Sequence, residues 1–226
     1  MRAIEFVAED VSRRGFLGMI GGTAAAAAMG SAGAATRPAA PATQQASGLG
    51  LKMPKEFNLL GNHPQNEITL QKTALGSGLK GPELAQFLAQ MKHESWNFEK
   101  LKEQPKGQDY FERRYGVQYA PKTAKILGNK VPGDGQRYYG RGYVQLTGRE
   151  NYKRAGEALG IDLLNKPDLA ANPDVAAKIA VWYWNSRVRP RVKNFADTAA
   201  VTKAINPALR GLGDRDANFK DYMRLV

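Results

Sequence analysis

Two glutamates nine residues apart, Glu94 and Glu103, are the best candidates in this sequence for acid–base chemistry. Glu94 follows Phe87 by seven residues and Met91 by three, so in a helix its carboxylate points along the apolar face. Apolar surroundings and the carboxyl end of a helix both disfavour the anionic form of a carboxylate, which suits a general acid. An ordinary surface or ion-paired glutamate is the alternative reading of the same spacing.

Glu103 suits the role of the matching base only if the chain folds back after Glu94. In a continuous helix, nine residues would place the two side chains on opposite faces about 13 Å apart, whereas the carboxylates of an inverting glycosidase are separated by roughly 6.5–9.5 Å. The helix must therefore end near Trp96 and Asn97. Four other carboxylates compete for the role of base: Glu99, Asp109, Glu112 and Asp134.

A third candidate element runs from Gly140 to Tyr152, with glycines on both sides of Arg141. Such glycines allow special backbone dihedral angles or close packing of the backbone. Seven of the nine tyrosines, Tyr143 among them, lie between residues 110 and 152. Their amphipathic rings suit contact with a sugar face, and a tyrosine-rich core wall is the alternative.

The spacing of apolar residues predicts a mainly α-helical domain without strong strand signals. One helix begins at Pro82 and carries Leu84, Phe87, Leu88 and Met91 on one face. A capping box over residues 147–150 predicts a second helix that Gly160 ends. Asn172 is the expected N-cap of a third. Two more helices are expected over 195–205 and 214–225, and a long ordered loop is expected between Tyr110 and Gly142.

These motifs, taken in order, resemble a known family. The segments His93-Glu94-Ser95, Glu103, 140–147, Asn151-Tyr152, 160–169, 180–184 and 201–206 are similar to those of the family 19 glycoside hydrolases, which include chitinases and related phage endolysins. The resemblance covers about residues 67–222. Several ordered motifs are far more specific than any one of them.

The resemblance implies a lysozyme-like, two-lobed helical fold with a cleft, and an endo-acting, inverting hydrolase of β-1,4 bonds beside N-acetylglucosamine. It implies Glu94 as acid and Glu103 as base, with Thr147 helping to hold the attacking water. The substrate contacts expected on the same basis, together with the tyrosine pattern, are Tyr143, Gln145, Asn151, Asn206 and Arg215.

Two positions depart from the family pattern. Family members often carry a Gly-Gly pair where this chain has Trp96-Asn97, and often carry glycines after the last asparagine, where this chain has Pro207-Ala208. The first departure bears on the turn that must bring Glu103 back toward Glu94. The second bears on part of the expected sugar contact.

The amino terminus predicts export. Arg13-Arg14 precede a weakly apolar, uncharged segment that ends in Ala32-Gly33-Ala34, which predicts a twin-arginine signal peptide over 1–34. A short leader with chance arginines is the alternative. The segment 35–50 reads as a Pro/Ala/Gln/Ser linker, and 51–226 as the catalytic domain of a periplasmic or secreted protein.

Composition restricts the chemistry and the partners. The chain has no cysteine and two histidines, so we expect no disulfide, no metal site and no cofactor. The net charge is +12, and the first 34 residues contribute none of it because three arginines offset three acidic residues. Such a charge favours an anionic partner such as a cell wall.

The predicted partner is therefore a polysaccharide, chitin or peptidoglycan, which the sequence does not separate. An inactive wall-binding module of the same fold is the alternative to an enzyme. Binding to nucleic acid is a weaker third reading, because export removes the protein from that ligand. We expect a monomer.

Overall fold

The computed structural model describes residues 59–226, and this part of the chain is mainly α-helical, as predicted. Within it, isolated bridges pair Lys102 with Arg141 and Arg141 with Leu146, and no longer strand forms. No helix in this range is long and apolar enough to cross a membrane. The α-helices are α1 (Pro64–Gly76), α2 (Gly81–Glu94), α3 (Tyr110–Tyr115), α4 (Pro121–Leu127), α5 (Asp134–Arg137), α6 (Arg149–Leu159), α7 (Pro173–Tyr183), α8 (Thr198–Ile205) and α9 (Leu212–Met223).

Helix α2 lies at the centre of the larger of two lobes. The residues predicted to form its apolar face, Leu84, Phe87, Leu88 and Met91, are all buried. Phe87 meets Trp184 edge to face with ring centroids 5.4 Å apart. Helix α9 packs along α2, and α1 packs on α7, so the larger lobe is a helical bundle around one core.

The smaller lobe consists of α3, α4 and α5. Its separate apolar cluster is formed by Phe111, Tyr115 and Leu127, and the ring of Phe111 stacks on Tyr139 with centroids 4.2 Å apart. The prediction of a long ordered loop between Tyr110 and Gly142 is therefore wrong, because three short helices lie there. These helices are six, seven and four residues long, too short for an apolar period to be recognised in the sequence.

A buried ion pair joins the smaller lobe to the start of α6. Asp134 is 1% exposed and accepts hydrogen bonds from the Lys130 and Val131 amides and from two nitrogens of Arg149. Burial disfavours the ionised carboxyl, but the bonds from Arg149 and the amides outweigh it, so the pKa of Asp134 lies below its ordinary value. The two lobes are thus held together by charge as well as by packing.

The helix ends confirm two of the three predicted caps. Asn172 accepts from the amides of Asp174 and Val175 at the start of α7, and Gly160 ends α6 with φ of 66°. The predicted capping box at Thr147 is wrong. The N-cap of α6 is Gly148, with φ of 91°, and a Cβ atom there would lie 2.5 Å from the Leu127 carbonyl oxygen, so only glycine fits against α4.

The two predicted carboxy-terminal helices are present, but α8 begins later than predicted and α9 begins earlier. Helix α8 begins at Thr198 because Asp197 caps the Ala200 amide, so the segment from Phe195 precedes the helix. Helix α9 begins at Leu212, two residues before the predicted start, after Gly211 in the left-handed region.

A left-handed turn follows α2 at once. Trp96, Asn97 and Phe98 have φ of 55°, 57° and 66°. The Asn97 amide donates to the Lys92 carbonyl at 2.9 Å, and the Asn97 carbonyl accepts from the Asn62 amide at 3.1 Å. The predicted end of the helix near Trp96-Asn97 is confirmed, and these two residues adopt the backbone conformation that a Gly-Gly pair would take without strain.

The burial of Phe98 explains why the strained turn persists. Its side chain is fully buried and meets Tyr143 edge to face, with centroids 6.2 Å apart, and its carbonyl accepts from the Asn66 side chain at 2.8 Å. A non-glycine residue in this region costs on the order of 1–2 kcal/mol. Burying a phenylalanine side chain contributes about 1.5–3 kcal/mol, which offsets much of the strain.

We predict opposite effects of two substitutions at Asn97, which is exposed. Asn97→Gly relieves the backbone strain and should leave the midpoint of thermal unfolding unchanged or raise it by about 2–4 °C. Asn97→Val places a β-branched side chain at positive φ and should lower it by at least that much. Calorimetry of both variants checks this. Equal midpoints for the two would show that the turn does not hold its left-handed conformation.

Candidate active site

Glu94 is the last residue of α2 and is 3% exposed. Its Oε1 accepts a hydrogen bond from Nη2 of Arg215 at 2.5 Å. Arg215 lies on α9 and is fully buried. The packing of α9 along α2 therefore brings together the predicted acid and Arg215, two residues 121 positions apart. Arg215 was expected to contact substrate, and in the structure it contacts the predicted acid instead.

A buried polar network fixes the Arg215 guanidinium from behind. Nη1 donates to the side-chain oxygen of Gln90, and Nε donates to the Arg210 carbonyl at 3.2 Å. The amide nitrogen of Gln90 donates in turn to the Thr202 hydroxyl at 3.2 Å. Sequence reasoning missed Gln90, although it precedes Glu94 by one helical turn and so must share its face.

Glu103 reaches the site by pairing with the glycine-flanked segment. Its amide donates to the Gly140 carbonyl at 2.9 Å, next to the bridge between Lys102 and Arg141. The Glu103 side chain is 4% exposed. The hydroxyl of Tyr115 lies 3.0 Å from each of its carboxylate oxygens, and the Gly140 amide lies 3.4 Å from Oε2.

Tyr115 belongs to the smaller lobe and acts as a donor to Glu103. Burial and the neighbouring Glu103 carboxylate raise the pKa of the Tyr115 hydroxyl far above its ordinary value, so it keeps its proton. The Tyr115 hydroxyl can therefore donate to the Glu103 carboxylate and hold it in place. Sequence reasoning counted Tyr115 only as a possible sugar contact, since no spacing rule links it to a glutamate 12 residues earlier.

The competing carboxylates have other partners. Glu99 is exposed and accepts from the Asn62 side chain, and Glu112 accepts from the Gln136 amide. Asp134 is held by Arg149, and Asp109 is an exposed residue before α3. Within residues 59–226, no group of three or more His, Asp or Glu side chains is placed to hold a metal ion.

Arg141 is the structural centre of the glycine-flanked turn. Its backbone pairs with Leu146, and its 3% exposed guanidinium stacks over the Tyr139 ring at 3.7 Å. The same group donates to the Tyr152 hydroxyl at 2.9 Å. Gly142 has φ of 76°, and a Cβ there would lie 2.9 Å from a backbone oxygen, which confirms the predicted need for glycine.

Gln145, Thr147 and Asn151 lie in succession on this turn and the start of α6. Asn151 donates to the Thr147 carbonyl at 2.7 Å, and the Thr147 hydroxyl donates to the Gln145 carbonyl at 2.9 Å. Gln145 is 3% exposed with φ of 51°, and its side-chain nitrogen donates to the Gly142 carbonyl. Its Oε1 is the one buried side-chain polar atom in the described part of the chain that has no hydrogen-bond partner.

Asn206 ends α8 and is 4% exposed. Its side-chain oxygen accepts from the Ala208 amide at 3.1 Å, so the Pro207-Ala208 segment forms a turn closed by this asparagine. The next helix is tied back to α2, because Nδ1 of His93 lies 2.5 Å from the Asp214 carboxylate. Asn206, which precedes the departure from the family pattern at Pro207-Ala208, is therefore held in place by its own turn.

Most of the clustered tyrosines form core walls. Tyr115, Tyr138, Tyr143 and Tyr152 are each at most 2% exposed, whereas Tyr119 is 62% exposed. Tyr143 packs on Phe98 and donates its hydroxyl to the Asn66 carbonyl at 2.9 Å. Its burial corrects the expectation that it contacts substrate, because neither its ring face nor its hydroxyl is open to a sugar.

Comparison with known sequences matches the chain to a family over residues 71–208. The family is described as chitinase class I, of the family 19 glycosyl hydrolases. A family 19 domain-containing protein of Haemophilus influenzae is 33% identical over 161 residues, covering 62% of this chain and 78% of that protein. An endochitinase of Arabidopsis thaliana is 38% identical over 125 residues, covering 55% of this chain, and the chain spans only 39% of that relative's length.

Solved structures show the same architecture. A chitinase C variant superposes with a TM-score of 0.51 at 27% identity, covering 71% of this chain and 68% of the other. Chitinase C from Streptomyces griseus gives a TM-score of 0.52 at 24% identity, covering 76% of this chain and 95% of the other, which supports the fold alone. With the sequence match spanning most of the described residues, the chain belongs to glycoside hydrolase family 19.

Proposed function

We propose that this chain is an endo-acting hydrolase of β-1,4 bonds in polymers that contain N-acetylglucosamine, and that it inverts the configuration of the sugar. The observation that carries this proposal is the pair of buried glutamates, each held by a different lobe. Glu94 is paired with Arg215 of the larger lobe, and Glu103 with Tyr115 of the smaller lobe. Acid and base on opposite sides of a bound sugar are what inversion requires.

In the proposed reaction, Glu94 delivers its proton to the glycosidic oxygen as the bond from that oxygen to C1 breaks. The bonding electron pair goes to the oxygen of the leaving sugar. Water attacks C1 from the opposite face and gives its proton to Glu103. Exchange with solvent then restores both carboxyl groups.

The remaining machinery is assigned to the turn and to the end of α8. The unpartnered Oε1 of Gln145 is an acceptor suited to a sugar hydroxyl or an acetamido N–H. The Thr147 hydroxyl is assigned to the attacking water, and Asn151 and Asn206 to sugar contacts beside it. Tyr143 is not included in the set, because its ring packs on Phe98 and its hydroxyl donates to the Asn66 carbonyl.

Chitin is the first candidate substrate, since relatives of the chain are named endochitinases and chitinases. Peptidoglycan is the second, and the net charge of +12 favours it. Neutral chitin offers such a domain no electrostatic attraction, whereas the peptides of peptidoglycan carry carboxylates. The catalytic proposal is the same for both polymers.

Export by the twin-arginine route places the enzyme near either polymer. This proposal rests on Arg13-Arg14 and the segment up to Ala34, which lie outside the described residues, as does the predicted linker over 35–50. The carboxy-terminal part of the chain, described from residue 59, is the part assigned to catalysis.

We predict that Glu94→Gln and Glu103→Gln each retain the fold and lose at least about a hundredfold in the rate of hydrolysis of a soluble, neutral chitin oligosaccharide. Glu112→Gln is the matched control and should keep its activity, because Glu112 accepts only a local amide bond in the smaller lobe. Circular dichroism checks the fold of each variant. An active Glu103 variant together with an inactive Glu112 variant would overturn the assignment of the base.

A second prediction concerns the tyrosine that contacts Glu103. Tyr115→Phe removes the hydroxyl that lies 3.0 Å from each carboxylate oxygen of Glu103, so that side chain is held in place less firmly. The variant should keep its fold and lose about tenfold in the rate of hydrolysis of the same oligosaccharide, the scale of one lost hydrogen bond. Tyr138→Phe also deletes a buried tyrosine hydroxyl, but one that donates to the Leu164 carbonyl, and it should keep its rate. Equal losses of rate in both variants would contradict the role of Tyr115.

A third prediction concerns export. Replacing Arg13 and Arg14 with lysine should leave unprocessed precursor in the cytoplasm, because the paired arginines are the feature that this route reads. Cell fractionation and the mass of the mature chain check it. Normal processing of the double variant would contradict the twin-arginine proposal and leave the catalytic one untouched.

A further inference from the structure

The smaller lobe carries exposed cations that no neighbouring carboxylate in the described part of the chain offsets. Between residues 113 and 133 the sequence contains five Lys and Arg residues and no Asp or Glu. One of the five, Arg114, is half-buried and donates to the hydroxyls of Tyr110 and Tyr115. The other four are exposed: Arg113, Lys122, Lys125 and Lys130. We call these four residues the basic face.

We propose that the basic face binds the carboxylates of an anionic glycan and so holds the polymer on the lobe whose Tyr115 contacts the catalytic base. The proposal rests on the proposed glycan hydrolase function and names the substrate class within it. Lys122 and Lys125 are three residues apart on α4 and therefore share a side of that helix. Tyr115 lies in the same lobe and contacts Glu103.

The carboxylates nearest to the basic face in sequence do not neutralise it. Glu112 accepts from the Gln136 amide, and Asp134 is buried against Arg149. Within residues 59–226, none of the four side chains of the basic face lies within ion-pair distance of a carboxylate. Their positive potential is therefore directed to solvent, where it attracts anions over a screening length of roughly 8–10 Å.

Elsewhere on the surface, cations are commonly matched within one helix. Lys153 pairs with Glu157 and Arg154 with Glu150 on α6, and Lys220 pairs with Asp216 on α9. A solvated helix face with such pairs has little net field. The larger lobe also has an acid-free stretch, residues 175–196, with five Lys and Arg residues, but one of them, Arg189, is paired with Glu83. In the smaller lobe the four exposed cations have no such pair between residues 59 and 226.

One exposed aromatic ring favours a glycan over a nucleic acid as the partner. Tyr119 is 62% exposed and stands just before α4, close in sequence to Lys122. A single tyrosine suits stacking on one sugar ring, whereas single-stranded nucleic acid is bound by several aromatic rings that stack successive bases. The smaller lobe thus offers one exposed ring, that of Tyr119, together with the four cations of the basic face.

The test replaces all four residues of the basic face with glutamine. The control replaces four exposed lysines of the larger lobe that likewise have no carboxylate partner in the described range, namely Lys72, Lys178, Lys193 and Lys203. Both variants lose four charges, so an effect of net charge alone is equal in the two. Binding to purified peptidoglycan and to chitin particles is measured by sedimentation at low and high salt, and turnover is measured on a soluble, neutral chitin oligosaccharide.

We expect the basic-face variant to lose at least about tenfold in binding to peptidoglycan at low salt, and the control to lose less than about threefold. Both should bind chitin particles and turn over the neutral oligosaccharide as the unaltered chain does. Equal losses in the two variants, or binding that salt does not weaken, would overturn the proposal. So would a larger loss of binding to single-stranded nucleic acid than to peptidoglycan. Absence of turnover in every protein, the unaltered chain included, would contradict the hydrolase function, while the comparison of binding would still decide the role of the basic face.

Discussion

The chain has nine residues in which to turn from Glu94 on the central helix to Glu103 on the far side of the site, and the rest of the structure depends on that reversal. A helix cannot make it, because a helix would carry the second carboxylate to the opposite face. The left-handed turn at Trp96–Phe98 makes it at once. The burial of Phe98 against Tyr143 offsets much of the strain in this turn. This packing is why Tyr143, which belongs to the glycine-flanked segment, is a core residue.

Once reversed, the chain must keep two carboxylates out of water, and it does so in two chemically different ways. Glu94 receives a guanidinium whose other nitrogens are bound by Gln90 and a backbone carbonyl. Glu103 receives a tyrosine hydroxyl and a backbone amide. Buried charges persist only where donors surround them. The arginine belongs to the larger lobe and the tyrosine to the smaller one, so each lobe supplies a side-chain donor to one of the two carboxylates.

The sequence was sufficient to predict the features that have a period or a cap. Local rules predict the apolar face of α2 and the end of α2 before Trp96, and the structure has both. They also predict the cap of α7 at Asn172, which is present. The smaller lobe was missed because helices of four to seven residues contain too few positions to establish a period. The Thr147 cap failed because tertiary packing decided it, with Gly148 against α4.

The residues that contact the two glutamates also differ in whether local spacing could have identified them. Gln90 could have been found, since it lies one helical turn from Glu94 on the same helix. Tyr115 could not, because its contact with Glu103 depends on how a three-helix lobe folds over a loop. Arg215 was identified by family resemblance alone, since 121 residues separate it from Glu94.

The unequal cores of the two lobes have a consequence for motion. The apolar cluster of the smaller lobe has three buried members, and that of the larger lobe has many more. Segments with few buried apolar contacts open locally at low free energy. Glu94 thus belongs to the lobe with the larger core, whereas the tyrosine that contacts Glu103 belongs to the lobe with the smaller core. A polymer that contacts both lobes would bind the arrangement in which both are folded and would stabilise it by mass action. The substrate would then supply the order that the smaller lobe's own core is too small to provide.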